Sequence, residues 1–159
     1  MTINRTVVQI KSSEIGEYSY IGEYSHISQH VTIGRYCSIG NLCTIGAQNH
    51  RIDRLTTWPT TIIKGQSTVI GNDVWIGCNC VVLSGISIGT GAVIGAGSVV
   101  TRNIPPYAIA YGNPARVMRF RFDEQVIADL LETRWWDLPA ETVKSLSHLE
   151  IHECIKAMR

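Results

Sequence analysis

No stretch of the chain approaches the ~18 consecutive apolar residues needed to span a bilayer, and its first residues lack a signal-peptide pattern. Neither sign of charge dominates: 14 Lys and Arg stand against 13 Asp and Glu, a net +1. With no dense basic run, electrostatic capture of nucleic acid has little to act through. Strict apolar/polar alternation is missing, as are the Asn-Gly and Asp-Gly turns of hairpins, which argues against an ordinary β-sandwich. Five cysteines is an odd number. A disulfide framework is not expected from it, and the simplest compartment is the cytoplasm.

What the chain does have is a beat of six. An aliphatic residue recurs at Ile15, Ile21, Ile27, Ile33, Ile39 and Ile45, then at Ile70, Ile76, Val82, Ile88, Ile94 and Val100. Glycine follows most of them, with Ser28, Leu83 and Thr101 as exceptions. Two residues before each comes a small or compact side chain, among them Ser19, Ser25, Cys37, Cys43, Cys80 and Ser98. A six-residue repeat with turn glycines specifies a parallel β-helix. Each hexad supplies one strand and one corner, and three hexads close a coil. Ile15 should therefore stack on Ile33, Ile21 on Ile39 and Ile27 on Ile45. Glycine at the corner serves where a side chain would clash or φ must be positive. Cys37, Cys43 and Cys80 fall on the small inward position and read as filler, while Cys78 and Cys154 are thiols without an assigned partner.

The fold class expected is all-β with an α-helical tail. Residues 1–105 form the β-helix, opened by an excursion loop at 47–68 where the beat fails. Residues 106–159 form a C-terminal extension, with the Pro105–Pro106 pair stopping the solenoid. Asp123 can cap a helix whose apolar face is Val126, Ile127, Leu130 and Leu131. Asp137 with Pro139 opens a second helix. The two helices could cover the open end of the solenoid or pack on a neighbour, with Trp135 and Trp136 as packing anchors.

Four stretches carry a resemblance: "QNHR" opening the loop, "VIGNDVWIG", "VIGAGSVVTRNIPPYAIAYGNPARV" and "RFDEQVIADLLETRWWDLP". On these the sequence resembles the hexapeptide-repeat acyltransferases, and more narrowly their xenobiotic branch, which includes chloramphenicol and streptogramin acetyltransferases. The resemblance implies a left-handed solenoid, a homotrimer with sites between protomers, acetyl-CoA as co-substrate and no metal. It implies that His50 is the general base for direct transfer to a hydroxyl, an imidazole being suited to take that proton near neutral pH. Asn49 and Asp53 could orient His50 or the acceptor, and Trp75 borders the transfer centre. Cys78 stands where related sugar acetyltransferases carry a Ser beside the thioester. Ala96 matches a turn that the pantetheine arm approaches, and Thr101, Arg102, Arg116 and Arg119 match the adenosine and phosphate end.

Only twenty residues separate His50 from Gly71, and Trp58 is the single aromatic of that loop. A short lid suits a polar acceptor: a sugar, a nucleotide sugar or a polysaccharide unit. An antibiotic hydroxyl and an amino-sugar nitrogen are the alternatives. A zinc-dependent carbonic anhydrase on the same solenoid would need three clustered histidines, and none lies between His50 and His148. A purely structural solenoid would show flat repetitive faces and no interruption.

Overall fold

The computed structural model describes residues 2–3, 8–9, 12–58 and 66–159. Among these residues sixteen short strands are distributed in turn over three sheets. The first holds β1 (Thr2–Ile3), β4 (Tyr20–Ile21), β7 (Ser38–Ile39), β10 (Trp75–Ile76), β13 (Val93–Ile94), β15 (Ala108–Gly112) and β16 (Ala115–Phe120). The second holds β2 (Val8–Gln9), β5 (His26–Ile27), β8 (Thr44–Ala47), β11 (Val81–Leu83) and β14 (Val99–Val100). The third holds β3 (Glu14–Ile15), β6 (Val31–Ile33), β9 (Thr68–Ile70) and β12 (Ser87–Ile88). Every pairing is parallel except β15 with β16. Such an order is that of a three-sided coil.

The expected ladders form. Ile15 pairs with Ile33, Ile21 with Ile39 and Ile27 with Ile45. The sheets close across the excursion, with Ile33 on Ile70, Ile39 on Ile76 and Ile45 on Val82. Most of these aliphatics are at most 1% exposed, and each buried Ile contributes roughly 1.5–3 kcal/mol. The beat also reaches further back than the aliphatic pattern indicates, since Ile3 and Gln9 pair with Ile21 and Ile27. The middle of the excursion, 59–65, lies outside the described residues.

One alternative is decided and one expectation is corrected. Of the two reasons for the glycine after each aliphatic, crowding is the one that holds: a Cβ on Gly71 would lie 2.5 Å from the Thr90 nitrogen, and one on Gly40 would lie 2.7 Å from the Cys78 nitrogen. Gly46 is the exception, with φ of 82°. Left-handed backbone falls three residues before the aliphatic, at Tyr18, Tyr24, His30, Tyr36, Leu42, Asp73 and Asn79. The Pro pair, moreover, does not end the ladder. Ile104 bridges to Ile88 and Ala110 pairs with Ile94. The prolines sit at a corner, where a Cβ on Gly89 would meet the Pro106 nitrogen.

The small inward side chains carry polar work. Ser19 Oγ donates to the Gly34 carbonyl (2.9 Å) and accepts from Cys37 N–H (3.0 Å). Ser25 does the same for Gly40 (3.0 Å) and Cys43 (3.1 Å) one face further on. Cys37 and Cys43 thiols reach the Gly71 (3.0 Å) and Gly77 (3.2 Å) carbonyls. All five cysteines are free thiols.

The tail forms three helices, α1 (Glu124–Thr133), α2 (Ala140–Leu146) and α3 (Ile151–Met158). Asp123 caps α1, accepting from Val126 N–H at 2.9 Å. Asp137 does not cap α2: Pro139 holds that place, and Asp137 sits in a 3₁₀ turn paired with Arg134 (2.7 Å). Instead of covering an open end, the tail lies along one corner. Backbone hydrogen bonds stack Tyr36, Asp73, Gly91 and Tyr107 there, coil upon coil. Trp135 tilts on Tyr36 at 5.4 Å, Arg121 bonds Asp73 at 2.9 Å, and Phe122 lies 5.8 Å from Tyr107.

Candidate active site

The excursion leaves the solenoid after β8, at the corner between the second and third sheets. Asn49 and His50 follow at once, both exposed. His50 Nδ1 lies 2.8 Å from the Thr57 carbonyl oxygen. A carbonyl can only accept, so Nδ1 carries the proton and Nε2 presents its lone pair. Asp53 is occupied elsewhere: Arg51 grips it in a bidentate pair (3.0 and 2.6 Å) that holds its carboxyl below the usual range. Backbone, not Asp53, fixes the ring. Ile52, Leu55 and Trp58 stand exposed on the same loop.

A second group gathers at another corner, between the first and second sheets. Trp75 points outward from β10, exposed, in register between Ser38 and Val93. Its strand leads through Gly77 into Cys78, which is exposed. Ala96 occupies the same turn one coil on, and Gly97 N–H donates to the Cys78 carbonyl at 2.9 Å. The missing side chain of Gly77 makes this stacking possible, its Cβ site being 2.6 Å from the Ala96 nitrogen.

The arginines lie on either side. Arg116 and Arg119 stand exposed on β16, and among the described residues their guanidinium groups bond the nearby carbonyls of Ala115 (3.0 Å) and Phe120 (3.4 Å). Thr101 and Arg102 follow β14 at the corner from which the excursion departs. Cys78, Ala96 and Trp75 are thus brought together. His50 is not with them, because Cys78 precedes β11 while Leu83, at its far end, pairs with Ala47 before the loop. His50 and Cys78 belong to opposite edges of one face.

Among the described residues no cluster of three His, Cys, Asp or Glu could hold a metal ion, and no helix is long and apolar enough to cross a membrane. The bacterial transferase hexapeptide family model, in six repeats, matches residues 12–47 and 67–102. The chain is 31% identical to a hexapeptide-repeat acetyltransferase of Vibrio cholerae solved with acetyl coenzyme A, covering 77% of this chain and 68% of that one at a TM-score of 0.69.

The chain belongs to the hexapeptide-repeat acetyltransferase family.

A galactoside acetyltransferase solved with coenzyme A is 34% identical, over 72% of this chain and 58% of that one, at a TM-score of 0.66. The chloramphenicol acetyltransferase of Agrobacterium fabrum is 43% identical over 63% of this chain and 54% of its own. The chain spans about half the length of the chloramphenicol acetyltransferases it matches. What the sequence could not reveal in the candidate site is the Thr57 carbonyl, since a backbone acceptor leaves no side-chain signature.

Proposed function

We propose that this protein transfers an acetyl group from acetyl-CoA to a hydroxyl, with His50 as general base. The observation that carries the reading is the His50–Thr57 hydrogen bond, which leaves Nε2 free to accept a proton in the one interruption of the solenoid. Nε2 takes the acceptor's hydroxyl proton as the oxygen attacks the thioester carbonyl. Backbone N–H groups steady the tetrahedral oxyanion. It collapses with loss of the CoA thiolate, which recovers the proton from the imidazolium. The products are an acetyl ester and CoA thiol, with no acyl-enzyme.

On this reading the solenoid winds in the left-handed sense of its family and assembles as a homotrimer in the cytoplasm. Threefold packing would bring the His50 edge of one protomer to the Cys78 edge of the next, which a single prism keeps apart. Exposed Ile52, Leu55 and Trp58 suit a loop that docks on a neighbour. The pantetheine arm would pass the Cys78–Ala96 turn beside Trp75, with Thr101, Arg102, Arg116 and Arg119 toward the phosphates and Asn49 toward the acceptor. No metal takes part.

The acceptor best suited to the short, polar loop is a sugar, nucleotide sugar or polysaccharide unit, and likeness to a galactoside acetyltransferase supports it. A chloramphenicol-type acceptor is the second reading, favoured by the 43% identity to chloramphenicol acetyltransferase. Thiol release from acetyl-CoA against a panel of sugars, nucleotide sugars, chloramphenicol and streptogramin A separates the two, with His50→Ala as the blank. Turnover surviving in that blank would remove the imidazole from the mechanism. A monomer by light scattering would overturn the shared site.

A further inference from the structure

The tail forms an open cavity of about 310 Å³ against its solenoid corner, a different corner from that of the Cys78 turn. Tyr107, Trp135, Leu146 and Ile151 give it apolar walls, and Asp73 with Arg121 makes one polar end. We propose that this cavity binds a small monocarboxylate with an apolar body, its carboxylate held by Arg121.

Arg121 spends a single nitrogen on the protein. Nη1 donates to Asp73 Oδ2 and to the Gly91 carbonyl, both at 2.9 Å. Nε and Nη2 make no hydrogen bond to another described residue, although the side chain is only 30% exposed. That edge of the guanidinium is a parallel pair of donors with the geometry a carboxylate accepts in bidentate fashion. The group is also held in place, its carbon 5.4 Å from the Tyr107 ring centre and 5.2 Å from that of Phe122. Less freedom is then lost on binding.

Charge and size narrow the ligand. Asp73 and Arg121 together are neutral, so one added negative charge is tolerated, whereas a phosphate dianion would be repelled by Asp73. The volume stands at the small end of ligand sites, which run from ~300 to ~1,000 Å³. A medium-chain fatty acid or an aryl acid fits that description. Asp73 also begins the coil that runs directly through Val74 to Trp75, so occupancy has a covalent route to the face assigned to acetyl transfer.

Calorimetric titration of the full chain with octanoate, against 1-octanol of the same tail, tests the proposal. Expected is saturable one-site binding of octanoate at least about tenfold tighter than octanol. Arg121→Lys should keep the charge, lose the fork and erase that preference. Ser147→Trp, at an exposed position lining the cavity, should abolish binding, while His50→Ala should bind as well as the parent. Octanol binding as tightly as octanoate, no octanoate binding at millimolar concentration, or binding undiminished in Ser147→Trp would each overturn it. Should Arg121→Lys fail to fold by circular dichroism, the octanol comparison and Ser147→Trp still decide. Loss of transferase activity in His50→Ala with octanoate binding intact keeps this site distinct from the transfer site.

Discussion

His50 and Thr57, seven positions apart on the loop, face each other, ring nitrogen to backbone oxygen at 2.8 Å. Because the orienting group is a carbonyl, side-chain substitutions at Thr57 leave it in place. His50→Ala should lower acetyl transfer by about 10²–10⁴-fold. His50 is exposed on the excursion and its side chain is not part of the buried core, so the melting temperature should not move. Thr57→Ala should retain most of the turnover. Steady-state rates and thermal melts of the two variants check the pair of outcomes, and a Thr57→Ala enzyme as impaired as His50→Ala would show that the hydroxyl was needed.

Thiol chemistry distinguishes the cysteines. Cys37, Cys43 and Cys80 are at most 1% exposed, and burial pushes the Cys37 thiol up to about 11. Burial keeps reagent from all three, and at Cys37 the retained proton slows reaction further, whereas the Cys43 hydrogen bond lowers the Cys80 thiol and leaves it protected by burial alone. Cys78 is exposed at the turn assigned to the thioester. In the folded protein Cys78 should be alkylated first by iodoacetamide, as peptide mass mapping would read. Coenzyme A should slow that reaction by about a hundredfold if it occupies the turn at a hundredfold excess over half-saturation, since protection tracks occupancy. Unchanged labelling at saturating coenzyme A would place the pantetheine arm elsewhere.

The sequence exposes what repeats. Ladder partners follow from the period because most inward aliphatics meet their like one coil away, and the excursion is visible as the place where the beat stops. Three features escape for physical reasons. Left-handed corners are filled by Tyr18, Tyr36 and Asp73 rather than glycine, since the Cβ there has room while the glycine position has none. Gln9 keeps register without an aliphatic. The third helix shows only as Ile151, Ile155 and Met158 at helical spacing with Glu153 reaching back to Glu150 N–H (3.3 Å), a signal too short to stand without its packing partners Tyr107 and Leu130.

Crowding and backbone strain can be separated by two alanines. In Gly71→Ala the new Cβ meets backbone and the Thr90 hydroxyl, at 2.5 and 2.8 Å. Neither can yield without opening the coil. Gly97 has φ of 72° but open space around it, so alanine there costs only the left-handed penalty of about 1 kcal/mol. Urea denaturation should show Gly71→Ala as the more destabilised by a clear margin. Equal losses would mean that conformation, and not contact with the next coil, selects the hexad glycine.

Ser25→Ala should cost about 1–3 kcal/mol, because Cys43 N–H and the Gly40 carbonyl both lose their partner in a dry interior. Ser25→Cys should recover part of it. The equivalent position one coil on is already cysteine, and Cys43 donates to the Gly77 carbonyl as Ser25 does to Gly40. Denaturation midpoints of the two variants test whether these hydroxyls act as hydrogen-bonding filler.

Asp73 makes stability depend on pH in the sense opposite to a surface ion pair. Burial raises its carboxyl above the usual carboxylate range, and the hydrogen bond and charge of Arg121 only partly oppose it. The folded chain therefore holds this proton to higher pH than the unfolded chain does. Between the ordinary carboxylate value and the raised one, the native state binds more protons, and stability falls as pH rises. Above that window the loss is complete and the slope vanishes. Asp73→Asn cannot titrate, so its unfolding free energy should lack this decline, apart from a constant offset for the altered contact with Arg121. Urea midpoints of the two proteins across mildly acid pH give the difference directly. A difference that stayed flat, or that grew in favour of the parent as pH rose, would show that Arg121 outweighs burial at this corner.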